Sequence, residues 1–395
     1  MSSGGDDLGD FISCKRLFSA FFKLGMTAFG GPAMIAHMKA MVIKQHGWLD
    51  EGRFKKGIVL CQSIPGATAM QMAAYIGLMS GGWRGAVAAY AGFGLPAFLL
   101  MLVLSISYGA SRGMPQVASL FGALQILVVA MLGQATFMFA RETIKRPMDM
   151  ILPVVCLALF GYGVSPFLVV AGSAIAGMVL FRSRDKTPGE AREGSNNNST
   201  VAVRTIAVLL STVCAGGILL YWMDKELFRL AAAMFRTDLF AFGGGFGALP
   251  LLFHEVVEVR GWLASGVFMD GVALGQVTPG PIVITAAFVG YLMHGILGAV
   301  VATMAIFTPS FLIMLAVNPL FEKIHGKPFF NGATRGILSS FVGMLAAMVM
   351  KFGGAVTWDP LRGLFLLGMA ILLARKINIL YVVLLAVLIA PVLFG

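Results

Sequence analysis

Two short stretches place hydrogen-bond donors beside a helix breaker: Gln62-Ser63-Ile64-Pro65-Gly66 and Gln276-Val277-Thr278-Pro279-Gly280. In an apolar chain a Pro-Gly pair ends one helical segment and lets another begin. The new segment starts with N–H groups that have no intrahelical acceptor and with the positive end of its dipole, which together hold an anion. After Pro65 these donors lie near Gly66, Ala67 and Thr68. After Pro279 they lie near Gly280, Ile282 and Val283, because Pro281 has no N–H to give. Gln62, Ser63 and Thr68 add side-chain donors at the first break, and Gln276 and Thr278 at the second. Upstream, Gly30 and Gly31 in "FGGP", and Gly243 and Gly244 in "FGGG", mark a second pair of breaks. A single break of this kind reads equally as a kink whose Ser, Thr and Gln side chains satisfy freed carbonyls. Four of them in two matched pairs favour a binding site.

The rest of the chain says what holds these breaks. Of 395 residues, 58% are hydrophobic and 12% charged, with a mean hydropathy of +0.87, more apolar surface than a water-soluble core can take. Runs such as "GAVAAYAGFGLPAFLLMLVLSISYG" and "GILGAVVATMAIFTPSFLIMLAVN" exceed the roughly 20 residues that span a bilayer. The predicted class is an all-α polytopic membrane protein. The opening "MSSGGDDLGD" has no basic region followed by an apolar core, so no removable signal peptide is expected. The formal charge of +11 fits basic cytoplasmic loops better than nucleic acid.

The sequence also repeats. Phe29, Gly30, Gly31, Trp48, Gln62, Pro65 and Gly66 match Phe242, Gly243, Gly244, Trp262, Gln276, Pro279 and Gly280; farther on, Gly85, Pro96 and Phe98 match Gly298, Pro309 and Phe311. The expected organisation is a first repeat over 1–181, a polar cytoplasmic linker over 182–202, a connecting transmembrane helix over 203–223 and a second repeat over 224–395. Asn197 and Asn198 fall in glycosylation-type triplets that an Asn/Ser-rich linker produces by chance.

Charge suggests how the repeats face. Between His37 and Gly57 the first carries Lys39, Lys44, Arg53, Lys55 and Lys56, whereas the matching stretch of the second has Arg260 among Glu255, Glu258 and Asp270. By the positive-inside tendency the repeats are inverted, and the connecting helix supplies the odd crossing. The segments Phe18 to Ile43 and Gly57 to Met79 then become re-entrant hairpins whose arms, about 15 to 22 Å long, reach mid-bilayer. Lys15, Arg16, Arg84, Arg141, Lys145, Arg146, Lys323, Lys327, Arg375 and Lys376 fall inside, and Pro147 to Tyr162 is a short span.

Lys23 and Arg236 each lie six residues before the matched Phe29 and Phe242. They either snorkel to an interface or point inward as two positive charges suited to a dianion. Other signals weaken on inspection. "HEVVE" (His254, Glu255, Glu258) lacks the second histidine of a zinc-protease helix, and "GASRG" around Ser111 follows no strand, so an intramembrane hydrolase is disfavoured. Cys14, Cys61, Cys156 and Cys214 lack metal-ligand spacing, and the 25 methionines read as packing. No metal or cofactor is expected.

"FGGP" with "WLDE" and "LCQSIPG", then "FGGG" with "EVVEVRGWL" and "GQVTPGPIVITAAFVGY", resemble the two-domain chromate ion transporter (CHR) family over both halves. The resemblance implies export of chromate across the plasma membrane, driven by membrane potential or a proton gradient, with the glycine and Pro-Gly motifs at the breaks. Many first domains of that family carry an acid between the histidine and the tryptophan; "MKAMVIKQHG" has none, so a coupling role for such a carboxylate does not carry over. Sulfate or another tetrahedral oxyanion offers similar acceptors and stays open as substrate. Outward passage of a dianion gains about 4.6 kcal/mol per 100 mV, twice the single-charge value, on the order of a thousandfold in concentration. The expected partners are the oxyanion, the lipid bilayer and, in a homodimer, a second copy of the chain.

Overall fold

The computed structural model describes residues 12–29, 31–111, 114–181, 199–321, 327–375 and 377–394. Gly30, most of the polar linker, Lys323 and Lys376 lie outside the described residues. Every regular element among the described residues is helical. The first repeat comprises α1 (Cys14–Thr27), α2 (Gly31–Lys39) running into a π-helical turn (Ala40–Gln45), α3 (Glu51–Ser63), α4 (Thr68–Ser111), α5 (Pro115–Thr143), α6 (Ile151–Gly161) and α7 (Pro166–Leu180). α8 (Ser199–Met223) leads to α9 (Lys225–Phe240), α10 (Gly245–Phe253) with its π-helical turn (His254–Val259), α11 (Ser265–Val277), α12 (Thr285–Val317), α13 (Pro328–Ala355), α14 (Pro360–Ala374) and α15 (Ile379–Phe394). The correspondence between repeats extends to both π-turns and to Gly47 and Gly261, each at φ 61°.

The Pro-Gly breaks are the tips of helical hairpins. In the first, Gly57 of α3 faces the ring of Tyr75, whose hydroxyl donates to the Arg53 carbonyl at 3.0 Å. In the second, Gly271 of α11 faces Phe288, and Thr285 Oγ1 sits near Gly275. Glycine is required at the tips, where Gly66 and Gly280 hold φ of 122° and 110°. α4 and α12 then bend back at Gly82 and Gly295, with φ of 63° and 60°. Gly77 consequently touches Gly85, and Gly290 touches Gly298, eight residues on, where a straight helix would separate them by about 12 Å. The arms α1, α3, α9 and α11 have 14, 13, 16 and 13 residues, about 20 to 24 Å, short of a hydrocarbon core of roughly 30 Å.

Five helices, α4, α5, α8, α12 and α13, are long and apolar enough to cross a bilayer, and α6, α7, α14 and α15 are shorter apolar helices. The chain is therefore a multi-pass membrane protein. Pro147 to Tyr162 is short as expected, a 3-10 turn (Pro147–Met150) followed by the 11 residues of α6.

The repeats interlock. α1 packs along α4 and α9 along α12, while α4 and α12 pack on each other at the centre. The last two helices of each repeat cross over: α6 and α7 lie on α13 of the second repeat, and α14 and α15 lie on α5 of the first. Small residues allow the close crossing, with Gly336 against the Ser173 carbonyl and Gly343 against the Pro153 carbonyl.

Candidate functional site at the hairpin tips

The four breaks meet. The Gly66 amide donates to the Ala241 carbonyl at 2.5 Å, beside "FGGG" of the other repeat, and the Gly280 amide donates to the Ala28 carbonyl at 3.0 Å, beside "FGGP". The exchange is reciprocal, and so is the packing behind it: Gly66 lies against Ser310 and Gly280 against Ala97, matched positions after Pro309 and Pro96. A Cβ on Gly244 would lie 3.5 Å from Thr68 Oγ1, and one on Gly245 would lie 3.2 Å from Ile282 Cβ. The first residues of α4, α10 and the turn leading into α12 therefore face one another.

This brings together Gly66, Thr68, Gly243, Gly244 and Gly280, with Gly31 opening α2 at the fourth tip. Gln276 and Thr278 are buried behind the second tip, and Thr278 Oγ1 donates to the Gly275 carbonyl at 3.0 Å. Gln62 is exposed on α3, and Ser63 Oγ donates to the Val59 carbonyl at 2.7 Å. Several break amides already have partners. Gly66 and Gly280 are tied across the repeats, and the Ala67 amide donates to Ser310 Oγ at 3.0 Å. The first-turn amides of α4 beyond Ala67 and those of α10 are the kind of donor a helix start offers to a ligand.

Neither basic residue points at the tips. Lys23 is exposed on α1 and lines a surface groove with Lys15, Arg16 and His46. Arg236 forms an ion pair with the wholly buried Glu255, which also pairs with Arg260 Nε at 3.2 Å, and its guanidinium lies 4.5 Å from the centre of the Phe167 ring. His254 pairs with Glu258 at 2.7 Å, and Ser111 Oγ donates to its own helix at the Ser107 carbonyl, so these two form no nucleophile–base pair with each other.

A cavity of about 470 Å³ leads toward the tips from the side of the α5–α6 loop. Lys145, Arg146 and Arg335 line it against a single acid, Glu142; Ser63 and Leu338 form part of its wall, and Leu338 also borders Gly243. Arg335 is held by the buried Asp149 at 2.9 Å, which also accepts the Lys145 and Arg146 amides at 3.0 and 2.9 Å. Lys145 and Arg146 and the start of α13 after Lys327 therefore line one cavity.

Sequence reasoning missed Asp238, Ser310 and Gln71, all wholly buried around the first tip. The signal was available for Asp238, an acid inside an apolar segment four residues before "FGGG". It also missed Asp270 as a buried group: its carboxylate accepts from Tyr108 and Gln125, at 2.8 Å each, instead of facing water.

The chromate transporter family profile matches the chain twice, over residues 15–178 and 228–391. An uncharacterized transporter of Methanocaldococcus jannaschii is 40% identical over 95% of this chain and 93% of its own. A chromate transport protein of Cupriavidus metallidurans is 28% identical over 92% of this chain and 88% of its own. The uncharacterized transporter YwrA of Bacillus subtilis is 29% identical over 84% of its length but only 37% of this one. No solved structure matches the chain.

Proposed function

The chain belongs to the chromate transporter family, and we propose that it exports chromate or a closely similar tetrahedral oxyanion across the plasma membrane, with its two repeats in inverted topology. The observation that carries this reading is the meeting of helix starts from both repeats at Thr68, Gly244 and Ile282, because converging amides and dipole ends suit a dianion at membrane depth. The anion enters from the cytoplasm through the basic cavity past Ser63, with Gln62 at its margin, and sits among Gly31, Gly66, Thr68, Gly243, Gly244 and Gly280. Gln276 and Thr278 support the second tip. Lys23 acts at a distance, raising the local anion concentration at its mouth, while Arg236 is held by Glu255 and adds little to anion binding. The membrane potential drives the flux, since each outward dianion moves two charges down an inside-negative potential.

The test is radiolabelled chromate uptake into everted vesicles under an interior-positive potential, with sulfate as competitor. Thr68→Val, which keeps the shape and removes the hydroxyl, is expected to raise KM about tenfold, equivalent to about 1.4 kcal/mol. Unaltered KM in that variant, or no uptake by correctly inserted wild type, refutes the site or the function respectively. Abolition of uptake by sulfate would favour a general oxyanion carrier. The homodimer would join through α8, whose membrane-length window is wholly unburied. Oxidative cross-linking through its exposed Cys214 in a Cys14→Ser background detects such a dimer, and a strictly monomeric product excludes this interface.

A further inference from the structure

We propose that Asp238 is a proton-binding site linked to the anion at the tips, such that a proton is taken up when the anion binds. The inference rests on reading the tips as an anion site. Asp238 lies in the last turn of α9 and is wholly buried. Its Oδ2 accepts from the Ser310 amide at 2.8 Å and from Ser310 Oγ at 2.6 Å, while its Oδ1 has no donor. Ser310 Oγ in turn accepts the Ala67 amide, so one hydroxyl separates the carboxylate from the start of α4.

A second buried acceptor flanks the same glycine. Gln71 donates Nε2 to the Pro65 carbonyl, and its Oε1 has no donor. A Cβ on Gly66 would overlap Ser310 Oγ and lie 2.6 Å from Gln71 Nε2, which places both side chains at the tip. A buried acceptor without a donor costs its full desolvation, and two beside one break leave that side of the tip short of hydrogen. A proton on Asp238 Oδ1 supplies it and leaves Oδ2 as the acceptor of both Ser310 bonds.

The other buried acids of the second repeat are provided for differently. Both oxygens of Asp270 accept hydrogen bonds, and Glu255 has two arginines. Around Asp238, α12 presents Ser310, and α4 presents Gln71 and Tyr90, whose hydroxyl donates to the Phe307 carbonyl at 2.6 Å. α10 carries no titratable residue, Cys214 and Tyr221 of α8 are exposed, and Arg236 on α9 itself pairs with Glu255. No described cation offsets an ionised Asp238, so its charge acts on the anion at the tip.

An ionised carboxylate two hydrogen bonds from the expected anion repels it strongly in a low-dielectric site. Protonation removes that charge while Oδ2 keeps both Ser310 bonds, so the start of α4 acts on the anion without an opposing carboxylate behind it. By linkage, each ligand raises the affinity for the other by the same factor. The proton comes from the water on the side where the anion enters and leaves with the anion on the other. A dianion with one proton still moves one net negative charge, so an inside-negative potential still drives it outward.

The test uses the purified full-length protein in liposomes with a trapped pH dye and radiolabelled chromate under an imposed potential. Wild type is expected to bring protons in with chromate, whereas Asp238→Asn keeps chromate flux within about threefold and loses the coupled protons; the difference cancels the titration of chromate itself. Proton movement persisting at the wild-type ratio in Asp238→Asn, or chromate flux without protons in wild type, overturns the proposal. Dicyclohexylcarbodiimide labelling read by mass spectrometry covers the case in which the variant does not fold. Asp238 is expected to label at low pH and lose reactivity as pH rises, to regain it with chromate, and Asp270 to stay unlabelled. An Asp238 inert at every pH refutes the site. Labelling that titrates in wild type that moves no chromate overturns the chromate reading and leaves Asp238 as the proton site.

Discussion

Single residues decide whether the tips form. Gly66 and Gly280 combine positive φ with contacts that leave no room for a methyl group, Ser310 in one case and Ala97, 2.8 Å from the Cβ position, in the other. Gly66→Ala and Gly280→Ala are each expected to cost about 1 to 3 kcal/mol and lower Tm in detergent. Unchanged thermal unfolding would show that the tips relax freely. Arg236 poses a different question, because its partner Glu255 is buried. Arg236→Ala is expected to destabilise by about 1 to 3 kcal/mol, and the Arg236→Ala/Glu255→Ala cycle to give a coupling of about 1 to 2 kcal/mol. Chromate KM measured well below Tm should change less than twofold. A large KM change at unaltered stability would mean that Arg236 touches the anion.

Among elements, the repeats differ in how their hairpins start. Asp50 caps α3, accepting the Arg53 amide at 2.8 Å, and the helix then continues with Glu51 paired to Lys39. The matched position before α11 is Ala264, exposed and in a similar extended conformation, with no side-chain cap. Ala264→Asp is therefore expected to stabilise the protein by about 0.5 to 1 kcal/mol, read as a rise in Tm without loss of transport. A fall in Tm would show that the acidic surroundings of α11 outweigh the cap. The breaks were legible at this scale. Glycine after proline, twice, ends α3 and α11 where the sequence places the ends, because no other residue pair both removes an amide and accepts positive φ. The reversal at Gly82 follows the expected hairpin end at Met79, where Gly81, Gly82 and Arg84 interrupt the apolar run, whereas the one at Gly295 has a lone glycine, which also suits a straight helix.

In the whole molecule, the crossing of α6–α7 onto α13 and of α14–α15 onto α5 means that each repeat completes the other. Residues 1–181 and 199–395 expressed separately are expected to be degraded or aggregate, and co-expressed to assemble into a transport-competent pair. A stable, monodisperse first repeat on its own would show that the interlock is dispensable.

The sequence by itself determined the membrane class, the two repeats and the sites of the four breaks, because hydropathy, Pro-Gly chemistry and internal likeness are local properties of the chain. Only the tertiary structure decided which donors remain at those breaks. The Gly66, Ala67 and Gly280 amides bond to Ala241, Ser310 and Ala28, partners 175, 243 and 252 residues away, which no local pattern reveals. The same holds for charge. Arg236 read equally as a snorkelling or an inward cation until Glu255 folded beside it, and Asp238 read as nothing until Ser310 brought it to the tip, because pairing of buried charge is set by packing and not by composition.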